Sequence, residues 1–180
     1  HNQLYGKWMV RKAYSYPSTN RQLRFAIHTQ KKSALLYSAS DIEVLHEDEV
    51  ANHPFIQRLG PDILDSAVTP EQIFEWVQSK AFYRRRFTTL LLDQGFLCGV
   101  GNYLRTEILF VSRIHPTHRP MDCDREQLAR FVDAALAIPR QSYQHNGITT
   151  DLAIAEDLKK RGFPRRQYRH WVFGREGQDC

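Results

Sequence analysis

The sequence predicts an α+β protein whose strands precede its helices. Before about residue 45, apolar residues alternate with polar or small ones, as in strands that bury one face. After about residue 69, apolar residues recur at helical spacing behind residues that cap helices. Because the two patterns are segregated along the chain, an α+β fold is favoured over alternating strands and helices.

The first part of the chain predicts strands of one sheet, some of whose partner strands are missing. A turn is expected at residues 31–33, between two strand-like runs. Residues 40–68, which are rich in turn-forming types, are interpreted as a connection to the helical part. The strand-like residues are Trp8 and Val10, then Leu23, Phe25 and Ile27, then Ala34–Tyr37.

Three helices are predicted in the second part. Thr69–Gln72 combines an N-cap, a proline at the first helical position and a glutamine three residues after the cap, so a helix should run to Val77. A second helix is expected over residues 84–93. Asp124 should cap a third that ends at Pro139. The apolar stripe of that third helix is Leu128, Phe131, Val132, Ala135 and Leu136.

A glycine-rich turn precedes one further helix. Gly99 and Gly101 permit unusual backbone angles and close approach, and Asn102 follows them. Such a turn can present backbone N–H groups to an anion such as a nucleic-acid phosphate. It can equally be a tight connection between packed helices, with Asn102 as a cap. The helix itself is predicted by a stripe of Leu104, Ile108 and Val111.

The charge distribution suits a polyanionic partner. The chain has 25 Lys and Arg against 20 Asp and Glu, a net charge of +5 and a pI near 9.2. Basic residues interleaved with aromatic ones suit phosphate contact and base stacking, although a solvated surface over core aromatics gives the same pattern. The basic residues cluster at Arg84–Arg86 and at Lys159, Lys160, Arg161, Arg165, Arg166 and Arg169.

The sequence lacks an apolar run of membrane-spanning length and a signal-peptide pattern, so we expect a cytoplasmic protein. Three scattered cysteines do not make a disulfide framework. Cys98 should be a small buried residue. Residues 171–180 predict a strand, a turn and a first cysteine, Cys180, as at the start of a zinc knuckle, but structural zinc needs four ligands.

Blocks along nearly the whole chain, from His1 to Cys180, resemble the bacterial endonuclease VIII branch of the formamidopyrimidine-DNA glycosylase family, in the same order. This branch acts on oxidised pyrimidines. The matching blocks are Gln3–Gly6, Leu36–Glu43, His53–Phe55, Arg58–Asp62, Leu90–Gln94 and Gly99–Arg105.

The resemblance implies a division into three parts. Residues 1–62 would be the end of a β-sandwich catalytic domain with its linker, and residues 63–152 a helix-two-turn-helix DNA-binding domain. Residues 153–180 would be a variable loop and the start of a zinc-finger β-hairpin. The glycines and basic residues of 144–166 allow a mobile loop to which the sequence assigns no contact.

The resemblance also implies roles for individual residues. Asn102 and Arg58 would hold DNA phosphates, for which the planar fork of arginine is well suited. Gln3, Leu4 and Tyr5 would enter the duplex and fill the space left by an extruded nucleotide. Without the resemblance these three residues are an ordinary strand end.

Glu107 sits at a position matched by family members. It is expected either to organise the site or to form an ion pair on the helix surface with Arg105 or Arg84.

Family members attack the deoxyribose with an amino-terminal proline that forms a Schiff base, aided by a glutamate and a lysine. None of these has a counterpart in this sequence, and the resemblance implies that they lie upstream of His1. Of the implied zinc ligands only Cys180 is present. The resemblance therefore implies a fragment of a bifunctional DNA glycosylase and abasic-site lyase that binds DNA but does not catalyse. The partner would be double-stranded DNA with oxidised pyrimidines or abasic sites, and the protein a monomer.

Two other classes of protein stay open. The first is a non-enzymatic nucleic-acid-binding module built on the same helical element, although the strand-rich start speaks against it. The second is a structural or interaction domain whose basic residues are only solvated. That class predicts no salt-dependent DNA binding, whereas each neutralised phosphate should release roughly one counterion.

Overall fold

The computed structural model describes residues 6–177, which fall into two compact units. The first unit extends to Val50 and the second begins at Ala51. Every strand of the described residues lies in the first unit, and almost all helical residues lie in the second. The predicted α+β fold is therefore confirmed. The division at residues 62 and 152 stays a prediction, and the Arg58–Asp62 block lies in the second unit.

The first unit is built on a three-stranded antiparallel sheet. Strands β1 (Lys7–Lys12), β2 (Leu23–His28) and β3 (Lys32–Tyr37) lie in the order β1-β3-β2. The turn between β2 and β3 occupies residues 29–31, slightly earlier than predicted, because Thr29 exchanges hydrogen bonds with Lys32. Strand β3 is the most buried of the three, as its central position requires.

The helices are short except for two. No helix within residues 6–177 combines the length and the apolar character needed to cross a membrane. The first unit contains α1 (Glu47–Val50). The second contains α2 (Pro54–Gln57), α3 (Pro70–Val77), α4 (Phe87–Leu90), α5 (Asn102–Ser112), α6 (Arg125–Gln144) and α7 (Leu152–Lys160), with short 3₁₀ turns at Pro120–Asp122 and Arg165–Gln167.

The core of the second unit forms where α5 and α3 pack against α6. Its centre is aromatic: the rings of Phe87 and Phe131 lie 4.8 Å apart, and those of Phe82 and Phe96 lie 5.0 Å apart. Phe87, Phe96 and Phe131 are fully buried. Offset aromatic pairs of this kind add to the stabilisation that burial provides.

The capping box predicted at Thr69–Gln72 and the cap predicted at Asp124 are confirmed, and the Asp124 cap is itself part of a capping box. The Thr69 hydroxyl accepts from the Gln72 backbone N–H at 3.3 Å, and the Gln72 side-chain oxygen accepts from the Thr69 backbone N–H at 3.0 Å. Asp124 and Gln127 do the same at 2.7 and 2.9 Å. Each box satisfies donors that a helix start otherwise leaves unpaired.

The helix predicted over residues 84–93 is wrong in extent, because only Phe87–Leu90 is helical. The backbone N–H groups of Phe87 and Thr88 donate to the carbonyls of His118 and Pro116, at 2.9 and 3.0 Å, which lie elsewhere in the chain. The segment before Phe87 therefore cannot continue the helical hydrogen-bond ladder.

The predicted end of the third helix at Pro139 is also wrong, since α6 continues to Gln144. Proline removes one hydrogen bond within a helix, yet Pro139 is buried and the following residues are held by side-chain contacts. The Gln141 amide donates to the carbonyls of Ile148 and Thr150, at 3.3 and 2.6 Å. Tertiary contacts thus outweigh the local signal.

Two predictions near the end of the described chain need correction. Residues 171–173 were expected to form a strand, but they form a turn. Their backbone N–H groups are taken by the Glu107 carboxylate and cannot pair with a strand. Residues 144–166 contain helix α7 rather than only a loop, because Asp151 accepts from the N–H groups of Ala153 and Ile154 and caps it.

Candidate nucleic-acid interface

The glycine-rich turn leads directly into α5, and Asn102 is the first residue of that helix. Gly101, in extended backbone, is the N-cap, so Asn102 is not a cap. Asn102 is exposed, and its side-chain amide has no hydrogen-bond partner within residues 6–177. The first helical turn has no side-chain cap. An uncommitted amide therefore stands beside N–H groups that favour an anion.

Gln94 holds this turn in shape from the preceding loop. Its side-chain oxygen accepts from Gly99 N–H at 3.0 Å, and its side-chain nitrogen donates to the Val100 carbonyl at 2.9 Å. Gly99 has a φ of 96°, a conformation that costs glycine little and other residues more. The turn is consequently fixed before any ligand arrives.

The Arg58–Asp62 block packs against the same loop. Gly60 N–H donates to the Gln94 carbonyl at 2.8 Å, and Cys98 N–H donates to the Pro61 carbonyl at 2.9 Å. A Cβ at Gly60 would lie 2.6 Å from the Gly95 carbonyl oxygen, so only glycine fits. Arg58 is exposed, and its Nε donates to the Pro54 carbonyl at 3.1 Å.

Cys98 is buried, as predicted. Burial raises the pKa of its thiol, and the nearby charge of Asp62 raises it further. The thiol is therefore neutral and unreactive near neutral pH.

The basic run at residues 84–86 is partly structural. Arg85 forms an ion pair with Asp93 at 2.7 Å, and its hydrogen bond is the main reason that the pKa of Asp93 is lowered; the N–H of Gly95 lowers it as well. Arg86 is the N-cap residue of α4, and Arg84 is exposed. Only part of this run is thus available to a ligand.

Arg140 is a structural residue that the sequence analysis did not single out. Its guanidinium on α6 donates to the carbonyls of Ile63 at 3.1 Å, Asp65 at 3.0 Å and Val68 at 3.3 Å. It fixes the loop that follows the Arg58–Asp62 block. Nothing in the sequence pattern marks it, because its partners are backbone atoms more than 70 residues away.

Glu107 lies on α5 and is fully buried. Its carboxylate accepts hydrogen bonds from the backbone N–H groups of Trp171 at 2.7 Å, Phe173 at 2.9 Å and Val172 at 3.0 Å, and from the Thr149 hydroxyl at 2.5 Å. A buried carboxylate is stable only when it is satisfied in this way. The predicted surface ion pair with Arg105 or Arg84 is therefore wrong. Glu107 anchors the turn at residues 171–173.

Thr149 extends the Glu107 network to His170. The Thr149 hydroxyl has one hydrogen, which Glu107 takes, so at 2.9 Å the Nδ1 of His170 is the donor to Thr149. Burial lowers the pKa of His170, although the charge of Glu107 opposes that shift. The His170 ring lies 5.4 Å from that of Tyr103, in the first turn of α5.

A cleft of about 460 Å³ opens beside the start of α5. Gly99 and Tyr103 line it on the side of the turn, and Asn146, Gly147 and Arg169 on the other. The Arg169 Nε donates to the Gly147 carbonyl at 2.9 Å. The loop after α6 therefore stands next to the turn that presents Asn102.

Comparison with known families identifies the family of the chain. The sequence profile of the formamidopyrimidine-DNA glycosylase H2TH domain matches residues 59–153, more than half of the chain. The chain belongs to the formamidopyrimidine-DNA glycosylase family. The match takes in the Arg58–Asp62 block from its second residue, the glycine turn, α5 and α6.

Curated relatives of this glycosylase-family chain carry the name Endonuclease 8. The chain is 50% identical to Endonuclease 8 of Pectobacterium carotovorum subsp. carotovorum (strain PC1) over 147 residues. The aligned region covers 82% of the chain and 56% of the relative. The chain is 46% identical over 180 residues to Endonuclease 8 of Pectobacterium atrosepticum, which covers all of the chain and 65% of the relative. The chain thus spans 56–65% of the length of these relatives.

Solved structures share the fold of this family member at low sequence identity. The structure of MutM in complex with carbocyclic 8-oxo-G containing DNA matches with a TM-score of 0.74 and 15% identity, over 99% of the chain and 62% of that structure. The complex between the Lactococcus lactis Fpg and an abasic site containing DNA matches with a TM-score of 0.66 and 16% identity, over 83% of the chain and 55% of that structure.

Several predictions about the site fall on residues outside the part of the chain that the structure describes. His1 is one of these residues. That the catalytic residues lie upstream of His1 therefore stays a prediction. The phosphate-binding roles of Asn102 and Arg58 stay predictions as well. The predicted site residues outside the described range are Gln3, Leu4, Tyr5 and Cys180.

The described residues do not supply the zinc site that the family resemblance implies. No cluster of three or more His, Cys, Asp or Glu residues within residues 6–177 could hold a metal ion. Cys180, the predicted first ligand, lies beyond that range.

Proposed function

We propose that this chain is the DNA-gripping part of a base-excision-repair DNA glycosylase with abasic-site lyase activity, which removes oxidised pyrimidines from duplex DNA. Family membership and the Endonuclease 8 relatives support the activity. Neighbours of the same fold bind lesion or abasic-site DNA. The observation that carries the proposal is the uncommitted Asn102 amide at the uncapped start of α5.

In this proposal the glycine turn grips one phosphate of the damaged strand. The Asn102 side-chain N–H donates to a phosphate oxygen, and the free N–H groups of the first turn of α5 favour the same negative charge. Arg58 pairs with another phosphate. Because Gly60 and Gln94 bind the two segments together, the two contacts are made by one rigid surface.

Gln3, Leu4 and Tyr5 complete the grip on the duplex. The amide faces the base left without a partner, the aliphatic side chain acts as a wedge, and the ring stacks on a neighbouring base. Extrusion of a nucleotide costs a few kcal/mol, and filling the vacated space offsets part of this cost.

The cleavage chemistry belongs to residues outside this sequence, which we propose lie upstream of His1. The family resemblance implies a Schiff base on an amino-terminal proline, followed by β,δ-elimination at the abasic site. The 180 residues hold no counterpart of that proline, so the chain alone should bind DNA without cleaving it. We further propose that Cys180 is the first ligand of a structural zinc and that the protein is a cytoplasmic monomer.

The test compares the chain with the complete protein that its coding region specifies. Duplex DNA carrying thymine glycol is incubated with each, and borohydride is added to trap any Schiff base. We expect the complete protein to excise the base and become cross-linked, and the chain to bind without either reaction. A complete protein that binds duplex DNA but yields no excision and no cross-link would leave the non-enzymatic binding module as the function.

A further inference from the structure

A basic surface segment runs from the end of α7 into the following 3₁₀ turn, and we name residues 159–166 the α7 ridge. It contains five basic residues and no acidic one. All five are exposed, as is the ring of Phe163, which keeps 38% of its accessible surface. A surface with this concentration of positive charge attracts polyanions. The five basic residues are Lys159, Lys160, Arg161, Arg165 and Arg166.

Some of these charges are already paired within α7. Lys160 lies 2.9 Å from Glu156, and Arg161 lies 3.3 Å from Asp157, each one helical turn earlier. Neither Lys159 nor Arg166 forms an ion pair or a side-chain hydrogen bond within residues 6–177. The hydrogen bond from Lys160 lowers the pKa of the Glu156 carboxyl, and the nearby charge of Lys159 helps to lower it. Lys159 is near enough to the helix end to interact favourably with its carbonyls. Arg166 lies beyond the helix, so that explanation does not apply to it.

One hydrogen bond joins the α7 ridge to the loop that follows α6. The Arg165 guanidinium donates to the carbonyl of Asn146. Asn146 lines the same cleft as Gly99, in the glycine turn, and Tyr103, the residue after Asn102. The loop that Arg165 contacts therefore lies next to the glycine turn.

The exposed ring of Phe163 is also committed to a cation. The Arg161 guanidinium lies 5.0 Å from its centre, within the range of a cation–π interaction. This contact holds Arg161 over the ring, and the bond to Asn146 holds Arg165. Lys159 and Arg166 are therefore the basic ridge residues whose side chains form no hydrogen bond, ion pair or cation–π contact within residues 6–177.

We propose that the α7 ridge is a second phosphate-binding surface, which contacts the backbone of the same duplex beyond the phosphates held by Asn102 and Arg58. Lys159 and Arg166 make the contacts, whereas Lys160 and Arg161 stay in their ion pairs with Glu156 and Asp157. This proposal rests on the proposed function, because it assumes that duplex DNA is the partner.

The test is the salt dependence of duplex binding by the 180-residue chain. Each phosphate that the protein neutralises contributes about 0.9 to the slope of log affinity against log salt concentration. The double variant Lys159→Ala and Arg166→Ala should therefore lower the slope by nearly two and weaken binding at low salt. Restoring charge with Lys159→Arg and Arg166→Lys should recover the slope.

The matched control removes two basic residues at the far end of α6, Arg125→Ala and Arg130→Ala. Ser142 lines the cleft, and 17 residues separate it from Arg125, which places Arg125 about 25 Å away at 1.5 Å per residue. The control should leave the slope unchanged. An unchanged slope in the ridge variant, while Asn102→Ala still weakens binding, overturns the ridge alone. A wild-type chain that binds no duplex overturns the proposed function and the ridge with it.

Discussion

The side-chain oxygen of Gln94 accepts a hydrogen bond from the backbone N–H of Gly99 at 3.0 Å, and this contact fixes the turn ahead of Asn102. The same side chain also donates to the carbonyl of Val100. One neutral side chain thus fixes the backbone on both sides of the Gly99–Val100 peptide bond, which lies outside any helix or strand.

Replacing Gln94 with Ala should loosen the turn. The hydrogen bonds to Gly99 and Val100 and a longer one to the Leu92 carbonyl are lost, so we expect the free energy of unfolding to fall by about 1–2 kcal/mol. Affinity for duplex DNA should fall too, because the Asn102 amide is no longer pre-positioned. Denaturant unfolding and fluorescence anisotropy measure the two effects. Gln78→Ala, which removes one exposed bond to Phe74, is the control, and equal losses of affinity in both variants would argue against a positioning role.

Substitutions at Asn102 separate a phosphate contact from a structural one. Asn102→Ala should weaken binding to damaged and undamaged duplex alike, by roughly tenfold, since a hydrogen bond to a charged group is lost. Asn102→Asp should weaken it further, because the carboxylate repels phosphate. The same carboxylate interacts favourably with the start of α5, so the melting temperature should not fall. An Asp variant with wild-type affinity would rule out the contact.

Glu107→Gln should destabilise the second unit strongly. The substitution turns one acceptor oxygen into an N–H₂ group that faces backbone donors, which we expect to cost about 2–3 kcal/mol. Amide hydrogen exchange should quicken first at residues 171–173. Glu75→Gln on the exposed face of α3 is the control and should change stability by less than about 0.5 kcal/mol. If amide exchange in Glu107→Gln quickened equally across the second unit, Glu107 would not be a local anchor of residues 171–173.

The ion pair of Asp93 with Arg85 should make stability depend on pH in the acid range. Because the pKa of Asp93 is lowered on folding, its contribution is present above its unfolded pKa of about 3.9 and is lost as pH falls through the lower folded value. Asp93→Asn should therefore reduce the denaturant midpoint at pH 7 and have little effect near pH 2. Asp133→Asn, at an exposed position on α6, is the control. A deficit that persists unchanged at pH 2 would show that the charge is not responsible.

Leu4 and Tyr5 can be tested in the complete protein. Changing both to Ala should impair excision from duplex DNA far more than excision from single strands, because only the duplex has a stack to be filled after extrusion. The ratio of the two excision rates is the measurement. Equal losses on both substrates would remove the wedge role.

Local signals in the sequence predicted the helix starts better than the helix ends. The helix starts at Thr69 and Asp124 are predictable because the cap and the glutamine that completes its capping box lie within four residues of sequence. The short α4 could not be predicted, because its first N–H groups donate to the carbonyls of His118 and Pro116, far along the chain. The end of α6 could not be predicted either, because it depends on bonds from the Gln141 side chain to the loop that follows. Hydrogen bonds of this kind do not alter the spacing of apolar residues from which helices are predicted.

The candidate site divides in the same way. The glycines predicted the turn before Asn102, and the family resemblance predicted that its partner is DNA. The buried role of Glu107 was not predictable, because a glutamate on a helix is far more often exposed than buried. Only the fold reveals that three consecutive N–H groups converge on it.

Those three N–H groups, from Trp171, Val172 and Phe173, form a concave anion receptor of the kind that other proteins use for phosphate. In this protein the bound anion is the Glu107 carboxylate, which belongs to the same chain. Truncating Glu107 to Ala would therefore vacate a carboxylate-shaped space lined by donors, and small carboxylates such as formate should restore stability to that variant while leaving the wild type unaffected. The phosphate site proposed at Asn102 would also use backbone N–H groups, but it is open to a ligand, whereas the space that the Glu107 carboxylate occupies is permanently filled.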